Sequence, residues 1–398
     1  MIKKDTANKI FENPKNLIKK QSSLKGLQIL RLSHNLNSTK IREQVSKIAN
    51  HKKKPLSLNK NYSETQSSLS CLPSIKKHVR KNRIRLSKQS VNSMSKPNPI
   101  CNISEKNVNF SLKLKEPEIV CITHTGSIDN KPKPYNQDRV LACKSVSNHL
   151  QYLVAVFDGH GPLGHLISGF LQINFTSTVK SFLNSCSTES LTKTFSKIIN
   201  DLESKLMASN FDLTYSGSTL LSLFFSGQVL CCTNIGDSRA ILISYCDEWS
   251  VRALNTEHKP YVKEEKNRVE KAGGRVLASI DGNGNAKGPI RVWGAKGGPG
   301  ISVSRTLGDS YCKQFGVSSE PDIFLKNLTD NDRVVVLGTD GLWDGLSNEE
   351  VLKVVSEYWV DKRNAQSIAE ALQKIAINKI KSSSSYQDDL SIVVIIRN

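Results

Sequence analysis

The nine cysteines include no C-x-x-C pair, and the only close pair, Cys231–Cys232, is adjacent within an apolar run. A disulfide framework and a zinc-ligand set are therefore both disfavoured, and a reducing compartment is expected. No apolar stretch approaches the ~18 residues of a membrane-spanning helix. The N-terminus, MIKKDTANKI, has no apolar signal core, and Ile2 stands where N-myristoylation needs glycine. These absences lead us to expect a soluble intracellular protein, cytoplasmic, nuclear or both. Acidic residues are scarce at one end only. Residues 1–110 carry 24 Lys and Arg against 5 Asp and Glu, whereas the rest of the chain carries 32 against 31. The net charge of +20 thus belongs to an arm and not to the body, and no specific nucleic-acid partner is expected from it.

The arm also has few aromatics and is rich in Lys, Asn and Ser. Such a composition cannot bury enough apolar surface to offset its conformational entropy, so residues 1–115 are expected to be a largely disordered, low-complexity basic segment. Its clusters HKKKP (51–55) and KKHVRKNRIRLSK (76–88) offer a surface to acidic partners or import receptors. The body, 116–398, has a different texture. Apolar runs at 151–157 (QYLVAVF), 219–225, 228–235, 239–243, 333–338 and 390–396 predict strands. Helical spacing of Leu and Ile predicts helices over 190–208 and 364–380. Short links between strands favour antiparallel pairing, and the lack of regular β–helix–β alternation argues against a doubly wound parallel sheet. An α+β fold is expected. The Gly-rich stretch 281–300 predicts a mobile loop.

What the body has in plenty is carboxylates at strand ends. Asp158 closes VAVFDGH, Asp237 sits in the turn of NIGDSRAIL, Asp340 and Asp344 follow RVVVLG, and Asp388 and Asp389 precede LSIVVII. Turns favour Asp, which accounts for any one of these alone. Several buried-looking strands ending this way imply a shared acidic cleft, whose self-repulsion cations would relieve. Oxygen-only ligands suit Mg²⁺ or Mn²⁺, so the pattern points to a divalent, two-metal centre.

The motifs YNQD, VFDGHG, SGST, NIGDSRA, NTEHKP, EKAGGRV, ISVSRTLGD, GTDGLWDG and DDLSIVV, in this order over some 280 residues, resemble those of the type 2C, metal-dependent Ser/Thr protein phosphatases. The resemblance implies two stacked antiparallel sheets flanked by helices, an α-β-β-α sandwich, with a flap around 255–310. It implies hydrolysis of phosphoserine and phosphothreonine in phosphoprotein substrates by a water activated between two Mg²⁺ or Mn²⁺ ions, with a weaker third ion; a monomer is expected only by default. By the same resemblance Asp158 bridges the metals, the Gly159 carbonyl holds one, and Asp340 and Asp388 hold the other. Asp237, with Asp340 and Asp344, matches the third-metal site, and His160 is the general acid for the leaving oxygen. Many members carry an Arg four residues before a Glu-Asp pair. Here Lys133 takes the place of that phosphate-binding Arg, and Gln137 and Asp138 stand for the pair. Lys attracts phosphate as a point charge and not as a bidentate fork. Asp389, where many members have Asn, is expected to support the ligands from behind. His165 and His258 are expected to be packed side chains, and SVSRTLGD (302–309) a scaffold for the flap. Two other readings stay open at this point. A catalytically dead phosphoprotein-binding relative is opposed by the retention of Asp158, Asp340, Asp344 and Asp388. A two-metal phosphodiesterase or nuclease is opposed by the neutral body and its lack of a basic, aromatic stacking surface.

Overall fold

The computed structural model describes residues 116–148, 150–185, 190–280, 286–295, 297–361 and 364–397, all within one compact unit. The expected arm, 1–115, lies outside the described residues. Two antiparallel sheets form the body. The first runs in the order β1 (Glu118–His124), β17 (Leu390–Ile396), β15 (Asp332–Gly338), β9 (Arg239–Cys246) and β10 (Glu248–Ala253). The second has the order β13 (Leu307–Gly308), β6 (Gly217–Ser218), β5 (Gln151–His160), β7 (Leu220–Ser226), β8 (Val229–Ile235) and β14 (Asp322–Asn327), with β4 (Asp138–Lys144) also paired to β5. A three-stranded ribbon is made of β2 (Ser127–Ile128), β3 (Lys131–Pro132) and β16 (Tyr386–Gln387). Helices α1 (Gly164–Ser185) and α2 (Leu191–Met207) cover the second sheet, and α6 (Asn348–Asp361) and α7 (Ala365–Ser383) cover the first. The fold is the expected α-β-β-α sandwich. Among the described residues no helix is long and apolar enough to cross a membrane.

The central strands explain themselves by the period of two. In β5, Leu153, Ala155 and Phe157 pack with Phe175 and Phe195 of the helices. Val154 and Val156 turn the other way and meet Leu221, Val335 and Val393 between the sheets. Such a strand is buried on both faces, so it reads as an unbroken apolar run and not as an alternation. Each fully buried Val or Leu contributes about 1.5–3 kcal/mol. Strands β1, β4, β10 and β14 are mostly half-buried or exposed, and none of them stands out as an apolar run. Helix α2 forms as its spacing predicts, burying Phe195, Ile198, Ile199, Leu202 and Leu206 on one stripe. Helix α7 starts at an Asn364 cap whose side chain accepts from the Ser367 N–H at 3.0 Å.

The Gly-rich stretch departs from expectation. Residues 286–293 are a strand, β12 (Ala286–Trp293), antiparallel to β11 (Arg275–Ile280). Alternating Ile290 and Val292 supply the β-branched character, and Val292 is buried against Val269, Ile301 and Val303. Residues 281–285 and 296 lie outside the described residues. This hairpin and α3 (Lys263–Lys271) make up the flap region.

Candidate active site

The parity that fills the space between the sheets also carries acid to its open end. Val154 and Val156 face the opposite sheet, so Asp158, two residues on, faces the same way. The register sets Asp138, the first residue of β4, directly across from Asp158. Asp237 comes from the turn between β8 and β9, and Asp340 opens the short helix α5 (Asp340–Trp343) after β15. One carboxylate oxygen from each of Asp158, Asp237 and Asp340 lies within 4.8 Å of the others. Asp344 follows one turn on, its N–H donating to the Asp340 carbonyl at 2.8 Å. Asp388, between β16 and β17, is near enough for its charge to act on both Asp158 and Asp340.

The electrostatics are those of an excess of acid. Burial pushes Asp158 well above the usual carboxylate range, and the charges of Asp340, Asp138, Asp388 and Asp237 push it further. Burial does the same to Asp340, reinforced by Asp237, Asp388 and Asp344 and opposed by Lys259. Asp138 is raised to about 7 by burial and by Asp389, against the pull of a hydrogen bond from Thr339 Oγ1 (2.8 Å). The Oδ1 atoms of Asp138 and Asp340 are buried with no hydrogen-bond partner. A self-repelling, all-oxygen donor set with orphaned carboxylate oxygens fits a hard divalent cation such as Mg²⁺ or Mn²⁺.

Two lysines answer part of the charge. Lys133 Nζ lies 2.7 Å from Asp388 Oδ1 and 2.9 Å from Asp389 Oδ2. Lys259 Nζ lies 2.5 Å from Asp237 Oδ2. Burial lowers both ammonium groups, but the adjacent carboxylates more than reverse it and both end above the usual lysine value. Asp389 is buried and ties three segments together, accepting from the N–H groups of Gly126 (2.7 Å) and Gln137 (2.8 Å) besides its lysine. The Gln137 side chain donates to the Gly161 carbonyl at 2.8 Å, so it braces the DGHG turn. Gly159 is required by close approach: a Cβ there would run into the carbonyl oxygens of Gly164 and Gln137.

Residues 135–384 match the family model described as Protein phosphatase 2C, which is more than half of the chain. The chain belongs to the protein phosphatase 2C family. It is 32% identical over 296 residues to the probable protein phosphatase 2C 65 of Arabidopsis thaliana, covering 68% of this chain and 75% of that one. It is 30% identical over 275 residues to the probable protein phosphatase 2C 61 of the same plant, covering 67% and 82%. Among solved structures, serine-threonine phosphatase 2C from Toxoplasma gondii superposes with a TM-score of 0.60 at 20% identity, over 71% of this chain and 95% of the other. That likeness speaks for the fold.

In this phosphatase 2C chain the three histidines of the sequence analysis part company. His258 is buried, its Nδ1 accepting from the Gly236 N–H (3.0 Å) and its Nε2 3.1 Å from Asp322. His165 stacks on Tyr135 with ring centroids 4.4 Å apart. His160 is partly exposed, and its Nε2 lies 2.6 Å from Asp309 Oδ2. Burial lowers the His160 imidazole and Asp309 raises it, with the balance upward. Sequence reasoning missed two residues of this site, Lys259 and Asp309. SVSRTLGD does hold α3, through Arg305, but its last residue reaches His160 in the DGHG turn. The signal for Asp309 was the same strand-end acid seen elsewhere, hidden because β13 is only two residues long.

Proposed function

We propose that this protein phosphatase 2C is a catalytically competent, Mg²⁺- or Mn²⁺-dependent hydrolase of phosphoserine and phosphothreonine in proteins. The observation that carries the proposal is the convergence of Asp158, Asp237 and Asp340 within 4.8 Å, with Asp158 and Asp340 raised by burial and by their own neighbours. Asp158, the Gly159 carbonyl, Asp340 and Asp388 would hold two ions, and Asp237, Asp340 and Asp344 a weaker third. Ions so held would neutralise the carboxylates and lower the pKa of a water, so that hydroxide would be available near neutral pH. The residues of the chain do the rest. Asp138 and Asp389 support this shell from behind. Gln137 holds the DGHG turn through the Gly161 carbonyl. Lys133 anchors Asp388 and Asp389 and adds a point positive charge toward a substrate phosphate. His160 protonates the departing serine or threonine oxygen, a step worth roughly 10²-fold or more when the donor is well placed.

The test is hydrolysis of a phosphothreonine peptide by the full chain, titrated with Mn²⁺ or Mg²⁺ against a chelator control. Turnover that requires the ion and vanishes with chelator supports the proposal. Folded protein that binds the peptide and turns over nothing at any ion concentration would make it a phosphoprotein-binding module instead.

A further inference from the structure

Asp309 occupies the position before the first turn of helix α4 (Ser310–Lys313), where an aspartate usually accepts from the helix N–H groups. It makes no such bond. Its backbone is instead left-handed, with φ 47° and ψ 50°, a conformation that costs a non-glycine residue about 1 kcal/mol or more. The conformation turns the carboxylate, 3% exposed, onto His160, with Oδ2 2.6 Å from Nε2. Thr306 Oγ1 donates to the same oxygen at 3.0 Å. On the neighbouring strand β6, Gly217 leaves the space free, because a Cβ there would collide with Asp309 Oδ2. A strained backbone, a hydroxyl donor and a glycine gap all serve to aim one buried carboxylate at one imidazole. His160 itself ends β5, two residues beyond Asp158.

We infer that Asp309 is the positioning residue for His160, holding Nε2–H so that the second ring N–H is presented to the leaving oxygen beside Asp158. The inference rests on the phosphatase function proposed above. In the step concerned, a water oxygen forms a bond to phosphorus and gives up a proton to solvent, while the bond from phosphorus to the serine or threonine oxygen breaks and its electron pair stays on that oxygen. That oxygen takes the proton from the imidazolium. The ring is left neutral, still tied through Nε2–H to Asp309, and regains a proton from solvent. Asp309 gains and loses none.

Leaving-group chemistry separates positioning from mere support of the fold. A threonine alkoxide needs the proton, and p-nitrophenolate leaves without it. The variant is Asp309→Asn, which keeps the shape and tolerates the left-handed backbone. In the full chain at saturating Mn²⁺, its kcat on a phosphothreonine peptide should fall about tenfold or more, with little change in KM. On p-nitrophenyl phosphate the loss should be several-fold smaller. His160→Ala should give the same split, and the double variant should be no worse than His160→Ala alone. Equal losses on both substrates in Asp309→Asn, or no loss on the peptide, would overturn the inference while leaving the phosphatase function standing. A His160→Ala variant with no split would remove the acid role of His160, and this inference with it. Wild-type protein that hydrolyses neither substrate would remove the phosphatase function itself, and the inference falls with that too.

Discussion

In the flap, Glu265 is 3% exposed, yet it accepts from Arg268 (2.6 and 2.7 Å), Arg305 (2.8 Å) and Ser304 Oγ (2.6 Å). Burial pushes its carboxyl up, but these donors overcome it and hold it at about 2. At the candidate active site, Asp158 and Asp340 are partly buried, which pushes both upward, and there the strongest neighbouring charges are other carboxylates, which push them further. The flap network is complete within the chain. The active-site cluster, even with Lys133 and Lys259, is not, and only protons or added cations can complete it. The two are also joined. Arg305 reaches Asp322 (2.8 Å), Asp322 meets His258 (3.1 Å), and His258 holds the N–H of Gly236, the residue before Asp237. The satisfied network fixes the backbone on which the unsatisfied one is built.

Substitutions on the two sides should therefore behave in opposite ways. Asp340→Asn should lower phosphopeptide turnover by about 10³-fold, since a metal ligand supports several kcal/mol of transition-state stabilisation. In chelator the same variant should unfold at a temperature equal to or above that of the wild type, because one repelled carboxylate is gone. Glu265→Gln should do the reverse. It takes the counter-charge from Arg268 and leaves Arg305 with Asp322 alone, and should cost about 3 kcal/mol in urea denaturation, with or without Mn²⁺. If Asp340→Asn destabilises the metal-free protein as much as Glu265→Gln does, the contrast fails.

The contrast also has a pH signature. Between the usual carboxylate range, about 4, and the value of about 7 for Asp138, the folded cluster binds more protons than the unfolded chain does. Metal-free stability should then fall as pH rises through that window. Glu265, held low, contributes stability that is lost only as pH drops below about 4.5. Denaturation in chelator at pH 5, 6, 7 and 8 should show the decline, with a shallower slope in Asp340→Asn. A wild-type slope matching that of the variant would mean that the cluster is not the cause. The smallest effect belongs to Lys259. Removing its charge beside Asp237 in Lys259→Met should tighten Mn²⁺ binding at that corner by a few-fold in calorimetry. An unchanged or weaker affinity would show that the lysine does not compete there.

The legible and illegible parts of this molecule follow from the same physics. QYLVAVF and RVVVLG stood out because their strands are buried on both faces, and an acid at the end of such a run is conspicuous. Asp158, Asp237, Asp340 and Asp388 could be picked out for that reason, and the structure brings the first three together. Asp309 was hidden because its strand is two residues long, and its meaning depends on a left-handed backbone that no spacing reveals. The pairing of Lys133 with Asp389 joins residues 256 apart, and that of Lys259 with Asp237 spans the β9–β10 hairpin. Long-range ion pairs have no sequence period. β12 was hidden by Gly288 and the glycines on either side of the strand, although Ile290 and Val292 carried the strand signal.

The central claim is that the cluster around Asp158, Asp237 and Asp340 is a carboxylate site completed by divalent ions. Calorimetric titration of Mn²⁺ into the full chain at neutral pH tests it most directly. Two or more ions should bind per chain with release of protons from the raised carboxylates, and Asp340→Asn should lose at least one of them. No saturable binding by the folded wild type, or binding that Asp340→Asn leaves intact, would contradict it.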